Sequence, residues 1–217
     1  MHFFIWLVPK TTKNINYSLS RSDTDVLAIT LDLDDGSLKQ PIGSSEDCNY
    51  PTDGVEAFTV WEPHIIYVEG GNTFWLQYCV EKGNWGKYIQ SACTGPDATA
   101  VYIGKSAGAI IAGSTVETAT WKGWDDPSIV PSKETYEHWK NHPGLCMLGP
   151  HAFFPHMTED WEGLVEQKRQ ELEQAEALVC LRDFDACCVD GSIQVMRIAS
   201  GSEWLADVAF FQKYYPL

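Results

Sequence analysis

Short apolar runs recur along the chain, each bounded by glycine, proline or polar residues. Residues 3–8, 26–31, 65–68, 99–103 and 178–181 are rich in β-branched and aromatic side chains. Runs of that length and composition, closed off by turn formers, predict buried strands. Between them, residues 73–81, 86–92, 107–113 and the longer 158–177 have helical character. Strands alternating with helices predict an α/β layer fold with a mostly parallel sheet. Towards the end, 186–189 and 193–198 flank Asp190-Gly191-Ser192, a turn signal that predicts an antiparallel hairpin at the end of the sheet. The stretch 34–53, rich in Gly, Ser, Pro and acids, is expected to be an exposed loop.

Composition narrows the class. At 217 residues, with 44% hydrophobic positions and nine each of Trp, Tyr and Phe, the chain can build one core, so a single domain over 1–217 is expected. Thirty acidic against fifteen basic residues give a net charge of -15. That field repels polyphosphate backbones and anionic lipid, so neither nucleic acid nor membrane is an expected partner. The seven cysteines are an odd number and form no C-x-x-C pair. Free thiols in a reducing, cytoplasmic compartment are expected. The run 3–8 is too short to span a bilayer and has neither the basic leader nor the cleavage site of a signal peptide.

Three segments carry the candidate chemistry. The predicted strand 99–103 stops at Gly104, and Lys105-Ser106-Ala107-Gly108 leads into the small, helix-compatible residues 109–112. Strand, tight turn and helix around G-x-S-x-G form a nucleophile elbow, in which flanking glycines permit a strained turn that lifts the serine hydroxyl above the sheet. A serine that merely caps a helix is the plain alternative. The second segment, Ile65 to Phe74, is a strand ending in Gly70-Gly71-Asn72-Thr73. Its glycines allow close backbone approach and a free N–H, as one arm of an oxyanion hole requires; a capped strand-to-helix loop is the alternative. The third, Pro155-His156-Met157-Thr158, puts a histidine before the long helix, where it can act as general base. His151 is its rival. A third member should be a carboxylate that orients the imidazole. Candidates lie in Thr118 to Pro127, where Pro127 holds Asp126 extended and the loop rigid; an exposed turn is the alternative.

Taken in order, these motifs resemble the peptidase E family, which includes the α-aspartyl dipeptidases and, more distantly, cyanophycinases. Val68-Glu69-Gly70-Gly71-Asn72-Thr73-Phe74 is similar to the family's G-G-G-N-T-F segment, Tyr102 to Ala109 to its Y-I-G-x-S-A-G-A elbow, and Pro155-His156-Met157-Thr158 to its N-P-H-F-T segment. The resemblance implies a flavodoxin-like three-layer sandwich, with the topology of class I glutamine amidotransferases. It also implies Ser106 as nucleophile, His156 rather than His151 as base, and the N–H groups of Gly71 and Ala107 as the oxyanion hole. Asp125 follows as the acid from its spacing to Pro127, with Asp126 and Glu117 as alternatives; the loop here is about four residues longer than the family's.

Asn72, Lys168 and Arg169 are the implied substrate-binding positions, the two cations standing where aspartyl dipeptidases need a basic partner for the substrate carboxylate. A solvated helix face is the plain reading of Lys168 and Arg169. Two departures stand out: Glu69 replaces the first glycine of the triplet, and the strand and helix that usually open the family are missing before the segment 3–9. The expected reaction is Ser-His-Asp acyl transfer on small peptides, foremost dipeptides with N-terminal aspartate, by a monomer or homodimer with no metal or organic cofactor. An α/β-hydrolase esterase is disfavoured by the short separation of Ser106 and His156 and by the lack of an H-G-G-G segment. A catalytically inactive relative of the fold is the other rival.

Overall fold

The computed structural model describes residues 3–6, 28–33, 65–94, 97–171, 177–183, 185–189 and 193–197. The loop expected at 34–53 lies outside these. The main sheet contains β1 (Phe3–Trp6), β2 (Ala28–Leu33), β3 (Ile65–Gly71), β4 (Val101–Gly104), β7 (Asp185–Val189) and β8 (Ile193–Arg197). Their order is β2-β3-β4-β1-β7-β8. The first four strands run parallel, and β7 pairs antiparallel with both β1 and β8. Residues 190–192, where a hairpin turn was expected, lie outside the described residues. A second, two-stranded parallel sheet pairs β5 (Ala152–Phe154) with β6 (Leu178–Cys180).

Apart from the single turn at Thr118–Trp121, which was not expected, the helices fall close to the segments that predict them. They are α1 (Thr73–Lys82), α2 (Trp85–Cys93), α3 (Ala107–Ala112), the single turn α4 (Thr118–Trp121) and α5 (Glu162–Glu171). The helix expected over 158–177 opens as a 3₁₀ turn at Glu159–Trp161 before α5. Alternation along β3 sends Ile66 and Val68 inward, where they meet Tyr102, Phe74, Ile89 and Ile111 in the principal core. Trp121, Ala152, Phe154, Val165 and Leu178 form a smaller cluster around β5 and β6. No helix among the described residues is long and apolar enough to cross a membrane.

Register fixes where chemistry can occur. Gly104 stands opposite Val68 of β3 and Ile5 of β1, so the carboxyl ends of three parallel strands lie on the side of the turn that follows β4, with β3 running on to Gly71. Crevices outside that end of an open α/β sheet are where such folds bind ligands.

Candidate active site

Ser106 stands between β4 and α3 with φ 49° and ψ -107°, a strained backbone for a side chain-bearing residue. Several contacts force the bend. The Lys105 N–H donates to Val68 O at 2.9 Å, and the buried Tyr102 hydroxyl donates to Gly108 O at 2.6 Å. Gly108 lies so close to β3 that any Cβ would collide with the Val68 carbonyl. Gly70 approaches from the neighbouring strand, and a Cβ there would lie 3.1 Å from Ser106 Cβ. Glycine at these two positions lets the nucleophile turn and the glycine loop touch.

His156 comes from the other sheet. Leu181 N–H donates to Phe154 O at 3.0 Å and Met157 N–H to Leu181 O at 2.9 Å, stitching the segment around His156 to the end of β6. The imidazole Nε2 lies 2.9 Å from Ser106 Oγ, and Nδ1 lies 2.6 Å from Asp183 Oδ1. Hydroxyl, imidazole and carboxylate therefore form one line. With the Nδ1 proton donated to Asp183, Nε2 faces the serine as an acceptor.

The carboxylate beside His156 is thus Asp183, and the expectation of Asp125 is corrected. Asp125 Oδ2 accepts the Thr73 N–H at 2.9 Å, at the first turn of α1, where an unpaired backbone donor draws a carboxylate. Asp126, the alternative, accepts the Ser128 N–H at 2.8 Å and is exposed. Glu117 precedes α4, its carbonyl accepting from the Thr120 hydroxyl at 2.7 Å. His151 donates Nδ1 to Leu148 O at 2.7 Å, within its own loop.

A cavity of about 50 Å³ opens beside the serine, lined by Gly71, Ser106, Lys122, Trp124, Phe154 and His156 among others. Trp124 and Asp125 also wall an adjacent open cleft of about 530 Å³. Gly71 lines the cavity with Ser106, and Ala107 opens α3 directly after the serine. The remaining substrate-binding candidates stand elsewhere. Asn72 caps α1, its Oδ1 accepting from Trp75 N–H at 3.0 Å, while its amide donates to Asp126 O at 2.9 Å. Lys168 pairs with Glu171 at 2.6 Å, and the Arg169 guanidinium lies 4.0 Å from Cys180 Sγ.

Glu69 lies next to the glycine loop. Its carboxylate takes the Lys105 ammonium at 2.6 Å, the Gly70 N–H at 2.9 Å and the Tyr67 hydroxyl at 2.9 Å. Burial alone would push this carboxyl up, but Lys105, Gly70 and Tyr67 together hold it below the ordinary carboxylate value.

A strand-to-helix elbow with a hydroxyl, an imidazole and a carboxylate aligned at the carboxyl edge of a parallel sheet is the equipment of a hydrolase. The chain belongs to peptidase family S51, whose sequence profile matches residues 49–192. Its fold resembles that of a provisionally assigned peptidase E protein from Listeria monocytogenes EGD-e. The identity is 20% and the TM-score 0.52, over 69% of this chain and 68% of that one. A peptidase from an acI-B1 Actinobacterium aligns at 15% identity and TM-score 0.41, over 68% of this chain and 56% of its own. None of the curated proteins matches the sequence.

Proposed function

We propose that this family S51 protein is a serine peptidase in which Ser106 is the nucleophile, His156 the general base and Asp183 the carboxylate that orients it. The observation that carries the reading is the 2.9 Å approach of His156 Nε2 to Ser106 Oγ at a strained elbow. His156 takes the Ser106 proton as Oγ attacks the peptide carbonyl. The resulting oxyanion meets the N–H groups of Gly71 and Ala107, His156 returns the proton to the departing amine, and water then releases the acyl group. Asp183 keeps the Nδ1 tautomer and stabilises the imidazolium.

The small cavity at Ser106 favours short peptides, with the adjoining cleft available to the remainder of the substrate. Preference for dipeptides with N-terminal aspartate draws on the resemblance alone, since Lys168 and Arg169 stand away from the cavity. The flavodoxin-like three-layer arrangement is supported by the parallel order β2-β3-β4-β1 and by helices following β3 and β4. The free cysteines among the described residues favour a reducing, cytoplasmic setting.

A fluorophosphonate probe tests the nucleophile: the wild type is expected to label and Ser106→Ala to remain unlabelled. A folded wild type that does not react overturns the reading. Asp-Xaa dipeptides assayed beside neutral and arginine-containing peptides and simple esters establish the substrate class. Turnover of esters alone would point to an esterase.

A further inference from the structure

We infer that Lys122 is a positioning residue for His156, an inference that rests on the reading of His156 as the base. The Lys122 ammonium donates to Pro155 O at 2.7 Å and to His156 O at 2.8 Å. Those two carbonyls belong to the peptide groups on either side of the His156 Cα. Gripping both fixes the φ and ψ of that residue together, and with them the direction of its side chain.

The grip has something to oppose. His156 has φ 54°, in the left-handed region that a side chain-bearing residue occupies at a cost. A backbone in that region persists only where its surroundings over-determine it. Met157 N–H to Leu181 O restrains one side of the residue, and Lys122 supplies restraint on both.

The ammonium is itself held in place. It lies 4.2 Å from the ring centre of Trp124, 4.3 Å from that of Phe154 and 5.4 Å from that of Trp161. Ring faces attract a cation, and this enclosure keeps the long side chain from wandering into solvent. Trp124 in turn stands 6.1 Å from the His156 ring, so one lysine supports both the base and the aromatic wall beside it.

The test compares Lys122→Met, Lys122→Gln and Lys122→Arg in the full chain, with two readouts. The first is kcat and KM on a peptide that the wild type cleaves. The second is the downfield proton resonance of His156 Nδ1–H, assigned by its loss in Asp183→Asn, which requires no turnover. Lys122→Met should lower kcat about 100-fold with KM within about twofold, the scale of a base displaced by about 1 Å. Its resonance should disappear. Lys122→Arg, whose guanidinium can donate to both carbonyls, should recover most of the rate and the resonance. A Lys122→Met protein with wild-type kcat and resonance overturns the inference. If that variant does not fold, Lys122→Gln decides, with about 10-fold loss of kcat expected and an unchanged rate and resonance overturning the idea. A wild type without hydrolysis would defeat the Ser106 reading, while the resonance would still decide the role of Lys122.

Discussion

Asp183 Oδ1 meets His156 Nδ1 at 2.6 Å because the two residues follow paired strands, β6 and β5, that end side by side. Asp125 belongs to a different contact, at the first turn of α1. The two aspartates should therefore respond differently to substitution. Asp183→Asn, which favours the wrong imidazole tautomer, is expected to lower kcat/KM about 10³- to 10⁴-fold with little change in Tm. Asp125→Ala should instead cost about 1–2 kcal/mol of stability by stranding the Thr73 N–H, with a loss of activity under about tenfold. Steady-state kinetics and thermal melts on the pair check both.

Gly108→Ala places a methyl group against the Val68 carbonyl, a backbone atom that cannot swing aside. The elbow must shift. Destabilisation of about 1–3 kcal/mol is expected, together with lost probe labelling of Ser106, read by melting and by labelling rate.

Glu69 joins the glycine loop to the elbow through Gly70 and Lys105. Glu69→Gln keeps the shape but leaves the ammonium without its anion. A loss of about 1–2 kcal/mol is expected from melts at neutral pH. Labelling of Ser106 should slow as the two turns loosen.

Glu81 carries a pH dependence. It lies on α1 and takes His142 at 2.5 Å, Gln77 at 3.0 Å and Lys133 at 3.1 Å. Burial raises its carboxyl, but these partners outweigh it and bring the pKa from 4.5 down to about 2. The folded value lies below the unfolded one, so the stabilisation is complete above pH 4.5 and fades as the pH falls towards about 2. The Tm difference between wild type and Glu81→Gln should shrink through that window. A difference independent of pH would contradict the assignment.

The elbow, the glycine loop and His156 were legible because each is encoded locally, by a strand, a turn former and a helix start within a few residues. Asp183 was missed for the opposite reason. It sits in a bend between β6 and β7, closed by Arg182 N–H donating to Asp185 Oδ2 at 2.8 Å, and nothing in that bend marks it as a partner for His156. The available signal was its place two residues beyond the predicted strand 178–181, on the carboxyl edge where the other two groups were expected. Pro127 misled because rigidity says how firmly a carboxylate is held and nothing about what it faces. β5 escaped notice because three residues, Ala152–Phe154, are too few to show a period. The likeness of 158–177 to a single helix concealed the 3₁₀ turn at its start.

β1 lies between β4 and β7, with Phe3 opposite Tyr102 on one side and Val189 on the other. β1 must accordingly wait for β7, far along the chain, before both its flanks are covered. Pairings so distant along a chain are slow to find. Chains halted before residue 185 are expected to leave one flank of β1 open to proteases, and activity should arise only once β7 has been made.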